Sequence, residues 1–465
     1  EHFVHVELSE ALPALVALIE GHLLRERVEP VRTPLSPEAL LERLDLALGE
    51  QGVPFGDVVE QLHEVLAVTP TTASDHFFNQ LFGGRDGAAV VGEALAGVLN
   101  NSMYTYKVAG VHVLIELLLV KRMGALMGYD EPEGVFTPGG SLSNLAGMVM
   151  ARNEAVPDLM DRGSDGRALR IYTSADSHYS IRKAASMLGI GRDNVVKVAV
   201  DERGRMVPEA LTKAIAADRA AGHVPVMINA TAGTTVLGAF DPLEPLADLA
   251  QREGIWLHVD AAYGGSMVFH PDFRAHFAGI SRADSITWDA HKMMGVPLTC
   301  SVVLVRHKGH LTKHFNETAD YLFQDDTDDL NPGTRSLQCG RRNDVLKLWT
   351  AWKTHGDEGY RRRVQVLRDN TLYAREIVER EPRLELVREP ESLNLCFKVG
   401  GARADKLCTA MNRRGRAMVG HAFVDGEPVV RLVFLDPTLP RERIDAFFEA
   451  LLLTAEEGEL PEVSR

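Results

Sequence analysis

The chain has 465 residues, is 45% hydrophobic and 25% charged, and carries a net charge of −15 with a pI near 5.6. That length and apolar content suffice for a large core and more than one domain. The acidic balance argues against nucleic acid and anionic membrane as partners, since both attract basic surfaces.

The opening Glu1-His2-Phe3 shows no basic, apolar targeting segment. The longest apolar run, around 111–120, contains His112 and Glu116. It is too short to span a bilayer and predicts a buried helix. Cys300, Cys339, Cys396 and Cys408 form no CxxC pair and have no His-rich neighbourhood of zinc spacing. Reduced thiols, a cytoplasmic location and no metal centre are expected.

In chain order, residues 1–75 predict an N-terminal arm of amphipathic helices. Apolar positions recur at helical spacing over 11–24, Ser36-Pro37 starts a second helix, and 57–66 predicts a third. Nothing there carries chemistry, so the arm is expected to pack on the main body or on a partner subunit. Over 76–355, short apolar strands alternate with helical stretches, which implies a largely parallel sheet covered by helices. Strands are predicted at 135–137, 169–173, 195–200, 224–229, 255–259, 285–288 and 301–305. Over 356–465, helices at 364–380, 404–413 and 442–456 with strands at 393–399 and 429–434 predict a smaller α+β domain. The fold class is α/β with a helical arm and a small C-terminal α+β domain.

Chemistry-bearing residues gather where the strands end, and in open α/β sheets ligands bind at the carboxyl ends of strands. The strand at 285–288 leads into Asp289-Ala290-His291-Lys292-Met293-Met294-Gly295. Desolvation of Lys292 would favour its uncharged amine, which attacks aldehydes. The aldehyde that proteins commonly hold on a lysine is pyridoxal phosphate; a solvated strand-end lysine is the plain alternative. Pro138-Gly139-Gly140-Ser141-Leu142 precedes a helix over 144–153. Its glycines permit close backbone approach and the helix amides suit a dianionic phosphate, although a capped tight turn reads the same way. Asp260 ends an apolar strand and needs a cationic partner there, such as a protonated pyridine nitrogen, or serves as a helix cap. His178 and Thr231 also follow strands. His178 suits stacking on a planar ring or a hydrogen-bonded structural role, and Thr231 suits donation to a phosphate or ring hydroxyl or simply shaping a turn.

Together these segments resemble the group II pyridoxal-phosphate-dependent amino acid decarboxylases, in the branch of glutamate and cysteine sulfinate decarboxylases. The resemblance rests on Phe77-Phe78-Asn79-Gln80-Leu81, His178-Tyr179-Ser180, Asn229-Ala230-Thr231-Ala232-Gly233, His258-Val259-Asp260-Ala261-Ala262, His291-Lys292-Met293-Met294-Gly295 and Tyr321-Leu322-Phe323-Gln324. It runs from about Phe77 to Lys353 and thins toward both ends. It implies the aspartate aminotransferase-like fold type I, with pyridoxal 5'-phosphate as cofactor. Lys292 would be the covalent attachment point, Asp260 the partner of the pyridine nitrogen and His178 the stacking ring. Gly140, Ser141 and Leu142 would hold the phosphate near His291, with Thr231 and Ala262 beside the ring. Gln80 and Arg431 match positions that engage a substrate carboxylate. Tyr321 matches a loop tyrosine that reprotonates the substrate carbon at the neighbouring subunit's site, so a homodimer with active sites at the subunit interface is implied.

The chain departs from the family twice. Asp289-Ala290 stands where Asn-Pro is usual, adding a negative charge beside Lys292 that is expected to shift the pH optimum. Lys107, in Tyr106-Lys107-Val108-Ala109-Gly110, replaces an acid. Three positions bear on the substrate. Phe82 replaces a small serine of glutamate decarboxylases, while Ser102 and Tyr104 resemble cysteine sulfinate decarboxylases. A shorter pocket is expected, favouring cysteine sulfinate or aspartate over glutamate. Glutamate decarboxylation is the alternative. An aminotransferase would not need Tyr321, and a non-catalytic descendant could have lost Lys292 or Tyr321; both are present.

Overall fold

The computed structural model describes residues 5–27, 29, 35–164, 166–317 and 330–458. The helices are α1 Leu8–Glu26, α2 Pro37–Arg43, α3 Phe55–Val68, α4 Gly87–Leu99, α5 Tyr106–Ala109, α6 Val111–Leu126, α7 Gly140–Ala155, α8 Leu159–Arg162, α9 Ser180–Met187, α10 Pro208–Ala220, α11 Leu243–Glu253, α12 His310–Phe315, α13 Val345–Arg380, α14 Ala404–Arg413 and α15 Arg441–Glu457. The strands are β1 Phe77–Phe78, β2 Glu133–Thr137, β3 Leu169–Ser174, β4 Val195–Val198, β5 Val224–Thr231, β6 Trp256–Asp260, β7 Ser285–Asp289, β8 Ser301–Val305, β9 Leu384–Leu386, β10 Asn394–Val399, β11 Met418–Val424 and β12 Glu427–Val433.

Near-continuous apolar runs such as Ser-Val-Val-Leu-Val in β8 suit strands covered on both faces. In β8, Val302 and Leu304 face one apolar cluster, with α6, α10, α11 and the first half of α13. Val303 and Val305 face another, with α7 and α9. The period of two thus feeds two helical layers from one strand. The seven-stranded sheet runs β2-β8-β7-β6-β5-β3-β4. From β7 through β4 its pairs are parallel; β8 runs antiparallel to both β7 and β2. Parallel register sets Thr231 beside Asp260 and Asp260 beside Thr287, so the polar strand ends line up along one edge.

The C-terminal sheet runs β1-β11-β12-β10-β9. Helices α14 and α15 and the second half of α13 cover one face. β1, two residues long, joins it in parallel to β11 and carries the 77–82 segment to the C-terminal sheet. α13 is broken at Gly356, whose backbone is non-helical at φ 62° and ψ −179°.

Two expectations need correction. The apolar helix around 111–120 is not buried all round. α6 buries Val113, Ile115, Leu119 and Val120, while Val111, Leu114 and Leu118 are 60%, 41% and 63% exposed. A helix apolar on every side has two faces to cover, and this chain covers one. β11 was not predicted. Gly420 and His421 interrupt its pattern, and its outward residues His421 and Phe423 are exposed.

Candidate active site

At the carboxyl edge of the seven-stranded sheet lies a recess of about 260 Å³. Its walls include Gly140, Ser141, His178, Thr231, Asp260, Ala262, His291 and Lys292, gathered from α7 and the ends of β3, β5, β6 and β7. Gly139 holds φ 110°, a conformation that favours glycine. A Cβ on Gly140 would stand 2.7 Å from the Asp289 carboxylate. These two glycines let the chain turn tightly into α7, which begins at Gly140, earlier than the sequence pattern indicates. Leu142 is placed differently from its neighbours. Its amide donates to the Gly139 carbonyl at 2.9 Å and its side chain packs on the apolar cluster beneath α7.

One hydrogen-bonded relay orients the polar groups. The Trp256 indole N–H donates to Ser285 Oγ at 2.8 Å, and Ser285 Oγ lies 2.7 Å from His258 Nδ1. His258 Nε2 lies 3.0 Å from Asn144 Oδ1. The Asn144 amide donates to Asp260 Oδ2 at 2.8 Å and to Ser180 Oγ at 3.1 Å. The Ser180 hydroxyl is then free to donate to His178 Nδ1, 2.9 Å away. Because the indole and the amide NH2 can only donate, each later partner's role follows. Asp260 Oδ1 accepts from the Ala262 N–H at 3.1 Å. Asn144, Ser180, His258 and Ser285 were not read as site residues; their short-range pattern is that of ordinary helix and strand positions.

Burial pushes the imidazole pKa of His258 down to about 4, so at neutral pH it is an uncharged link. Burial also lowers the pKa of His178, opposed by the Asp260 carboxylate, and that of His291, opposed by Asp289. Asp289 is buried, with Oδ2 3.5 Å from both Lys292 Nζ and His291 Nε2. The sequence departure therefore does place a carboxylate against the lysine. Thr231 Oγ1 is buried without a hydrogen-bond partner, while the Thr231 amide donates to Asp241 at 2.7 Å.

The residues fit a pyridoxal phosphate: free amides of Gly140 and Ser141 opening a helix, an amine on Lys292, a fixed carboxylate on Asp260 and an uncommitted hydroxyl on Thr231.

Arg431 donates to the carbonyls of Thr235, at 3.0 Å, and Asn79, which precedes Gln80. Thr235 and Tyr263 beside it line the recess. Gln80 is exposed and Phe82 half-buried. The recess is not lined by Phe82, Ser102 or Tyr104. Ser102 Oγ accepts from the Arg341 amide at 3.2 Å, and the Tyr104 ring lies against Gly333. Tyr321 lies outside the described residues.

Comparison with known proteins adds the following. Residues 37–400 match the pyridoxal-dependent decarboxylase conserved domain. The cysteine sulfinic acid decarboxylase of Mus musculus is 44% identical over 366 residues, covering 78% of this chain and 74% of that protein. The glutamate decarboxylase of Drosophila melanogaster is 35% identical, covering 87% of this chain and 84% of that protein. The crystal structure of mouse CSAD superposes with a TM-score of 0.91 at 38% identity, covering 96% of this chain and 98% of that one.

Proposed function

The chain belongs to the pyridoxal-dependent decarboxylase family and is a PLP-dependent amino acid decarboxylase of fold type I; from that premise we propose that its preferred substrate is a short acidic L-amino acid, cysteine sulfinate or aspartate. The observation that carries this reading is Arg431. Its guanidinium is held by two carbonyls beside the recess, its Nε is buried without a hydrogen-bond partner, and no carboxylate pairs with it among the described residues. A cation so placed suits a carboxylate of the substrate. Phe82 and Tyr104, bulkier than serine and more polar than phenylalanine, support the shorter substrate, and so does the higher identity to the cysteine sulfinic acid enzyme than to the glutamate enzyme.

Bound in the recess, pyridoxal phosphate supplies an electron sink for the pair left behind as CO2 departs. Lys292 Nζ is the amine that would carry it covalently. Asp260, fixed by Asn144 and the Ala262 amide, would keep a proton on the ring nitrogen. His178, fixed by Ser180, would pack on the ring; Gly140 and Ser141 would bind the phosphate near His291. Tyr321 is the proposed proton donor to the substrate carbon.

The same reading includes a homodimer. Val91, Leu95, Val98 and Leu99 on α4 and Val111, Leu114 and Leu118 on α6 are exposed, as are Leu8, Leu12, Leu15 and Ile19 on the arm helix α1. Apolar faces of this extent mark association surfaces. Phe82, Ser102 and Tyr104, outside their own chain's recess, would then serve the site of a second copy. The four cysteines are free thiols, which supports a reducing compartment such as the cytoplasm.

The test is kcat/KM of the holoenzyme for cysteine sulfinate, aspartate, glutamate and an aromatic amino acid side by side. One of the two short acids should lead; a methylene is worth about 1–3 kcal/mol of discrimination. A lead of about tenfold, roughly 1.4 kcal/mol, for glutamate or the aromatic substrate would overturn the substrate reading. Lys292→Ala should release no CO2 and give no borohydride-stable adduct; retained turnover would remove Lys292 from its role.

A further inference from the structure

α7 opens at the phosphate-binding turn and ends at Ala155; its last turn carries Glu154. Facing it is α12, which presents His310 and His314, one helical turn apart and therefore on one face. Glu154 Oε1 lies 3.2 Å from His310 Nδ1 and 2.8 Å from His314 Nε2, and one donor atom from each of the three residues falls within 4.8 Å of the others. A zinc ion with bonds of about 2.0–2.1 Å to nitrogen and oxygen holds tetrahedral ligand atoms about 3.3–3.4 Å apart. The two carboxylate–imidazole separations are already near that size, and the imidazole–imidazole one lies within 4.8 Å. We propose that Glu154, His310 and His314 form a binding site for a late first-row divalent cation of the Zn2+ or Co2+ class, joining α7 to α12.

Four features support the site. Two imidazoles and one carboxylate are a donor set that such cations accept. His310 Nδ1 is shielded from solvent and, beyond its 3.2 Å approach to Glu154, makes no hydrogen bond. The His314 side chain is 1% exposed, so its ring is held in place and sheltered from solvent. A surface recess of about 600 Å³, walled by Glu154, Trp256, Arg306 and His310, leaves access for an ion and its water ligand.

A resident cation already uses the site. Lys313 Nζ lies 2.6 Å from the same Glu154 Oε1, and its side chain is 55% exposed, so it can swing into water. The metal competes with that ammonium. Sequence spacing shows only a His-x3-His pair; the third ligand comes from a helix far away in the chain, which is why no metal centre is expected from sequence.

The test uses chelator-treated holoenzyme titrated with Co2+, then Zn2+. Binding is followed by calorimetry, by the visible d–d absorption of bound Co2+ and by quenching of Trp256, whose ring lies 5.5 Å from the His310 ring. Wild type should bind one ion per chain at submillimolar concentration, and Zn2+ should displace Co2+. Trp256→Phe should remove the quenching but not the binding. His310→Ala and Glu154→Gln should weaken binding at least tenfold, while Lys313→Met should strengthen it. His314→Ala risks misfolding because the side chain is buried, so His310→Ala, at a more exposed position, decides. The proposal is overturned if wild type binds no ion, if binding and quenching persist unchanged in folded His310→Ala, or if Lys313→Met fails to bind more tightly.

Discussion

His258 shows how one buried side chain sets the state of others. It has no exposed surface and links Ser285 to Asn144, which in turn holds Asp260 and Ser180. Unfolded, its imidazole takes up a proton near pH 6.5; folded, it does so only near pH 4. As pH falls through that window the unfolded chain binds a proton that the folded chain does not, so stability falls with acidification. The full effect is about 3 kcal/mol. Asp241 opposes it, because burial raises its pKa to about 7 and its protonation favours the folded state as pH falls. Comparing wild type with His258→Gln cancels the Asp241 contribution. Urea unfolding from pH 6.5 to pH 4 should show wild type losing more stability than the variant; parallel curves would contradict the neutral-link role. Lys292, Asp260 and His178 were legible in the sequence because each is a polar residue just past an apolar strand. Asn144 and Ser180 were not, because a polar residue within a helix is ordinary until the fold shows what it touches.

At the scale of elements, a buried ion pair joins α6, β2 and the segment before α13. Arg341 pairs with Glu116 through two hydrogen bonds, 2.5 and 2.7 Å, with both side chains under 5% exposed. Glu116 also accepts from the Phe136 amide, and Arg341 donates to the Met103 carbonyl at 2.9 Å. Removing one charge from such a pair leaves the other buried and unpaired. Glu116→Gln should therefore cost about 3–5 kcal/mol in urea unfolding. A loss under about 1 kcal/mol, typical of a surface pair, would contradict the buried geometry. The sequence marked Glu116 only as an interruption of an apolar helix. Its partner stands 225 residues later, beyond the reach of any periodicity.

For the whole molecule, the uncovered faces of α4 and α6 are the feature to test. Leu95 and Leu118 are 47% and 63% exposed. In the proposed dimer a charge at either position would be driven into an apolar interface. Leu95→Arg with Leu118→Arg should yield a folded monomer in sedimentation velocity, with decarboxylase activity lost because Phe82, Ser102 and Tyr104 no longer reach a second site. A variant that stays dimeric would move the interface to another surface. Among the described residues no helix is long and apolar enough to cross a membrane.

The sequence alone determined the alternation of strands and helices, the strand-end placement of Lys292, Asp260, His178 and Thr231, and the glycine turn into α7, because periodicity, turn chemistry and strand termini are local properties of the chain. Only the tertiary structure decided what those residues touch. Parallel register set Thr231 beside Asp260, a relay through three elements fixed Asp260, and β1 brought Asn79 to Arg431 on β12. It also decided that α6 would leave Val111, Leu114 and Leu118 exposed. Each of these depends on contacts between residues far apart in sequence, where the free energy of burial and hydrogen bonding acts without leaving a local pattern.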